Sequence, residues 1–275
     1  MNSKTRKEQA LEYIRHARLM DDSFFELCFR GNPKYIETVI NGIFKQLNIP
    51  EVKIQEIITQ ERYLTVENRN ACLDAVATDE NGNLINIEVQ RAKRRCLYRR
   101  ARYHSSLLDT NTLTSGEDFD KLPDTYVIFI LEYDLKNQGL PAYQVRRTFL
   151  EDNSDFDDGT RFIFVNGTYR GNDPIGQLMN DFNAEGAEQM KNELLKERVE
   201  FFKETEEGIR EMKSIEQTIA KRYIAKGKAE GSLEKAIEIA KNMLRFGDPL
   251  EKIVLITGLT LQQVQNIQHS LQSPV

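Results

Sequence analysis

ACLDAVATDENGNLINIEVQ, residues 71–90, sets two runs of strand-forming residues on either side of a polar, turn-forming centre. It reads as two short strands, residues 71–78 and 84–90, folded back over Asp79-Glu80-Asn81-Gly82-Asn83. Asn-Gly inside an alternating frame signals a hairpin, because both residues tolerate positive φ. On the return strand Ile85, Ile87 and Val89 point one way and Asn86, Glu88 and Gln90 the other. On the outgoing strand Asp74 interrupts a small, apolar run. Burying an unpaired carboxylate is costly, so an acid there needs a reason.

Loop length sets the register. A three-residue loop, Glu80-Asn81-Gly82, places Asp74 opposite Glu88 on one face, with Cβ atoms roughly 5 Å apart. A two-residue Asn81-Gly82 turn pairs Asp74 with Val89 and sends the two acids to opposite faces. Facing carboxylates repel unless a cation or proton sits between them. With Gln90 beside them, the natural occupant is a hard, oxygen-loving ion, magnesium or manganese. The plain alternative is an exposed hairpin edge with scattered polar residues.

Asp74 followed by Glu88-x-Gln90 on the next strand resembles the PD-(D/E)XK nuclease superfamily. INIEVQ (85–90), then a basic stretch and RRARYHSSLLD (99–109), looks more closely like its Rpn-like branch of recombination-promoting nucleases and transposases. MDDSFFELCF (20–29), GEDFDKLPDTYVIFILEYD (116–134) and DGTRFIFVNGTYRGNDPIGQLMNDF (158–182) are similar to that branch too, so the resemblance covers about residues 19–205. It implies an α/β fold with a restriction-endonuclease-like core, a mixed central sheet flanked by helices, and a helical C-terminal extension. It also implies that Asp74, Glu88 and the Val89 carbonyl hold one or two magnesium ions, with Asp22 a further candidate acid. The superfamily usually has lysine where Gln90 stands. Glutamine can hydrogen-bond a water but brings no charge, so turnover and a non-cleaving DNA-binding or assembly role both stay open. Lys93 or Arg91 could restore charge, although alternation should turn Arg91 away.

The 275 residues can bury a sizeable core, and 40% hydrophobic with 29% charged residues is ordinary globular composition. No apolar run approaches the ~18 residues of a membrane span, and the charged N-terminus does not suit a secretory signal, so a cytoplasmic location is expected. Cys28, Cys72 and Cys96 are too scattered for a disulfide set or zinc site, and His16, His104 and His269 form no ligand cluster. The net charge of −5 argues against indiscriminate polyanion binding. The charge is uneven, however: Arg91, Lys93, Arg94, Arg95, Arg99, Arg100 and Arg102 form a run without an acid. A charge run is usually a solvated face, but one placed just after two acids suits a phosphodiester substrate.

Helical composition is expected over residues 5–18 and, after Pro33, over 34–47, while residues 52–58 and 62–66 are strand-like. Asp21 and Asp22 precede a helical FFELCF, which gives Asp22 a plain alternative as a helix cap. The pattern from 98 to 108 is helical and places Arg100 and Tyr103 on one face, matching the family's R-A-x-Y positions. Lys93, Arg99, Arg100, Arg102 and Tyr103 are therefore the candidate DNA contacts, against the alternative of Arg100 tied to a carboxylate and Tyr103 in the core. Residues 125–132 read as a strand covered on both faces, 143–150 and 161–165 as further strands, and Pro174 as the opening of a helix. Three parts follow: a nuclease-like domain (1–186), a long helical segment ending in a KGKAEGS linker (187–231), and a helix-turn-helix-like tail (232–275) with Thr260 as a helix cap. That tail has few basic residues, which favours packing or homo-oligomerisation over DNA reading.

Overall fold

The structure, a computed structural model, describes residues 16–63, 71–93, 96–113, 116–211, 239–244, 248–259, 261, 264, 265 and 268. The expected helix before residue 16, the side chains of Arg94 and Arg95, the KGKAEGS linker and the Thr260 cap lie outside the described residues.

The chain divides into two compact units, residues 1–213 and 214–275. The first holds helices α1 (Asp22–Phe29) and α2 (Pro33–Gln46), strands β1 (Ile54–Tyr63), β2 (Ala71–Asp79) and β3 (Leu84–Gln90), and helix α3 (Leu97–Thr110). Strands β4 (Thr125–Leu131), β5 (Ala142–Val145) and β6 (Thr160–Asn166) follow, then helices α4 (Pro174–Asn183) and α5 (Glu193–Glu204). The six strands form one sheet in the order β1-β2-β3-β4-β6-β5. β1, β2 and β3 are antiparallel, β3, β4 and β6 parallel, and β5 returns antiparallel on β6. This is the mixed sheet flanked by helices that the resemblance implies.

The apolar run TYVIFIL becomes β4, a central strand buried on both sides. On one face Val127, Phe129 and Leu131 join Leu97, Ala101 and Leu108 of α3, with Phe162 and Phe164 of β6. On the other, Tyr126 meets Phe44 of α2 at 5.0 Å between ring centroids. Phe24 of α1 contacts Phe202 of α5, while Phe25 and Phe29 contact Phe182 of α4. The helix starts carry the caps their sequences promise. The side chains of Asn32, Asp173 and Asn192 accept from backbone N–H groups of α2, α4 and α5, and Pro33 and Pro174 open their helices. Strand β5 stops at Val145, short of the expected 143–150, and only an isolated bridge, Thr148 to Asp155, continues its direction.

The hairpin takes the three-residue loop. Ala75 pairs with Ile87, Val76 with Asn86, Ala77 with Ile85 and Thr78 with Leu84. A two-residue Asn-Gly turn needs positive φ at both positions. Here Gly82 alone of that pair has it, at +84°. The buried Asp79 decides the matter, because its carboxylate accepts from the backbone N–H groups of Asn81 and Asn83 and from the Asn83 side chain.

Beyond β4 and β6, Gly167 lies against the Leu131 carbonyl so closely that a Cβ would run into it. Because that obstacle is backbone, Gly167→Ala should destabilise the protein by about 1–3 kcal/mol, read as a lower urea midpoint at unchanged slope.

In the second unit Ala240, Ile253, Leu259 and Val264 are buried together. Helix α6 (Leu250–Thr257) ends there at Gly258, whose φ of +69° closes it in the left-handed conformation.

Candidate active site

Strand β2 is held by two neighbours that part company at Asp74. Its ladder with β3 ends at the Ala75–Ile87 pair, while its ladder with β1 runs on through Leu73, Cys72 and Ala71. One step past the last β2–β3 pair the same offset sets Asp74 opposite Glu88. Side chains there replace the missing backbone bonds: the Asp74 N–H donates to Glu88 Oε1 at 3.1 Å, and the Val89 N–H donates to Asp74 Oδ2 at 3.1 Å. The two acids therefore stand together at a fork in the sheet.

Their surroundings split them electrically. Burial would raise the Glu88 carboxyl, but hydrogen bonding and charge from His104, the Arg100 guanidinium and the Asn86 amide outweigh it and hold Glu88 below the usual range. Asp74 goes the other way. Burial first, then the charges of Glu88 and Asp22, push its carboxyl well above the usual range. One acid is thus fixed as an anion while its neighbour favours the protonated form.

Helix α3 supplies the cations and the frame. Arg100 Nη2 donates to Glu88 Oε2 at 2.6 Å, and Nη1 donates to Gln90 Oε1 at 2.9 Å. Its Nε lies 3.3 Å from His104 Nε2. Nδ1 lies 3.5 Å from Glu88 Oε1 and 3.3 Å from Asn86 Oδ1. Gln90 is buried, and its Nε2 donates to the Tyr133 hydroxyl at 3.1 Å. Lys93 sits over the Tyr133 ring, 5.3 Å from its centroid.

Asp74, Glu88, Val89, Gln90 and Arg100 are thus brought together. Arg99 and Arg102 are exposed on α3, as Lys93 is beyond β3, whereas Arg100 turns inward onto Glu88 as the carboxylate-tied alternative describes. Tyr103 is half-buried on α3. Arg91 faces away as alternation requires, bound to Asp21 and Glu132. Asp22 is the exposed first residue of α1, and Asp21 takes the cap position. His104 and Asn86 are the residues that sequence reasoning missed, although His104 lies one turn beyond Arg100 on the same helix face.

A family model described as PD-(D/E)XK nuclease family transposase matches residues 30–245. The chain belongs to that family. No curated protein and no solved structure gives a match. Nucleases of the PD-(D/E)XK family generally use divalent metals. In this family member no group of three or more His, Cys, Asp or Glu has metal-binding geometry among the described residues. The oxygen donors that do converge, Asp74 and Glu88 next to the Val89 peptide, suit a hard ion that keeps part of its water shell. A cation there would favour the ionised Asp74 carboxylate, which burial and the Glu88 and Asp22 charges disfavour. No helix among the described residues is long and apolar enough to cross a membrane.

Proposed function

We propose that the protein is a magnesium-dependent endodeoxyribonuclease that hydrolyses DNA phosphodiester bonds in recombination or the movement of mobile elements. The observation that carries this reading is the juxtaposition of Asp74 and Glu88 at the fork between β2 and β3, one acid anionic and the other favouring its protonated form until a cation binds. Asp74, Glu88 and the Val89 carbonyl would hold magnesium, or manganese in its place. Such an ion supplies Lewis acidity, favouring ionised water and offsetting the charge that develops on the scissile phosphate. Gln90 uses two of its four hydrogen-bonding positions on Arg100 and Tyr133, which fixes its amide and leaves the others to orient water. Lys93, Arg99 and Arg102 would take the phosphates on either side of the cut, with Tyr103 and Asp22 at its border. The helices of the second unit would serve assembly into a homo-oligomer. Incubation with supercoiled plasmid tests the reading: nicked circles form with magnesium and not with EDTA. DNA binding without any nicking would favour the non-cleaving reading, which the absence of a lysine at position 90 supports.

Metal and pH should act jointly on stability. A carboxyl with a raised pKa favours the protonated form in the fold, so its contribution is present at low pH and lost as pH rises through the raised value. A divalent ion binds the ionised form and counters that loss. The melting temperature gained on adding magnesium should therefore grow by a few degrees between about pH 5 and pH 8. Differential scanning fluorimetry of wild type and Asp74→Asn checks it, the variant showing no such growth.

A further inference from the structure

The β3 sequence places a neutral glutamine, not a cation, two residues beyond Glu88. Fixed positive charge nevertheless reaches that spot from a different element. The Arg100 guanidinium spans the two side chains, with Nη2 on Glu88 and Nη1 on Gln90. Three contacts hold it in place: Nε on His104, the Phe129 ring 5.5 Å away, and the helix turn that carries it. His104 is itself clamped between Asn86 and Glu88 and lies against Phe129. Glu88 is fully buried, whereas the Arg100 side chain is 32% exposed, so the guanidinium reaches from the buried acid toward solvent. A planar fork with five donors can hold both partners and still offer an N–H to an incoming oxyanion.

We infer that Arg100 is a positioning residue that supplies the site's fixed positive charge, aligning Glu88 and Gln90 for a phosphodiester and offsetting negative charge as the bond breaks. The inference rests on the nuclease reading above. It departs from a merely structural ion pair in one measurable respect. A cation beside Glu88 opposes a divalent ion at the same carboxylates, so removing it should leave metal binding equal or tighter while cleavage collapses. A structural pair would lose both together.

The experiment compares wild type, Arg100→Gln, Arg100→Lys and Asp74→Ala at about pH 8. It reads manganese binding by electron paramagnetic resonance titration, nicking rate at saturating manganese, and the thermal transition. Arg100→Gln should bind manganese at least as tightly as wild type and nick about 100-fold more slowly, and Arg100→Lys should stay within about tenfold of wild type. The inference is overturned if Arg100→Gln nicks within about threefold of wild type, or loses manganese binding along with nicking. Where Arg100→Gln does not fold, Arg100→Lys decides: more than about 100-fold loss with manganese still bound rejects the charge role. Nicking by wild type and not by Asp74→Ala upholds the nuclease reading whatever Arg100 does, while an inactive wild type removes both.

Discussion

Asp74→Ala should abolish magnesium-dependent plasmid nicking, a loss on the order of 10³-fold or more, because one of the two carboxylates that face each other at the fork disappears. The same residue should behave in the opposite sense toward stability. Without metal, its ionised form is disfavoured by burial and by the Glu88 and Asp22 charges. Asp74→Asn keeps an oxygen to accept from the Val89 N–H while removing the charge. It should therefore melt at or above wild type in EDTA near pH 8, though it nicks no DNA. A gain in stability with a loss of turnover marks a group kept for chemistry rather than for packing. If Asp74→Ala nicks as well as wild type, the hydrolytic centre lies elsewhere.

Phe129→Ala should be the costliest single truncation near the site, at about 3–5 kcal/mol in a urea titration. Phe129 is fully buried on the central strand, with its ring 5.9 Å from Phe164 and 5.7 Å from His104. It is also the surface on which the Arg100 guanidinium lies. The loss should thus register twice, first as a lower urea midpoint and then as slower nicking well below the unfolding transition. Phe129→Leu refills most of the volume without offering a π face, so it should regain most of the stability and less of the turnover.

The comparison between sequence and fold turns on a few residues. The continuous apolar run of β4 and the alternation of β3 were legible because a strand with two buried faces and one with a polar face leave different periods. The hairpin register was not, since Asn81-Gly82 fits two loops of different length. The choice fell to Asp79, whose carboxylate gathers the loop amides, and no periodicity reports such a bond. The acids and Gln90 could be singled out from residue type and spacing. The direction of Arg100 could not, because a helix records which residues share a face but not what that face meets. His104 was passed over for the same reason: a lone histidine carries no spacing, and its meaning comes from Asn86 and Glu88 across the gap to β3.

The parting of β2 from β3 has a mechanical corollary. Glu88 rides on a strand stitched to β4 in the middle of the sheet, whereas Asp74 rides on one whose remaining partner is the rim strand β1. Across the gap between the two acids, side-chain bonds stand in for a ladder: Asp74 N–H to Glu88 and Val89 N–H to Asp74. A substitution that removes either acid's side chain therefore also removes a stitch between the strands.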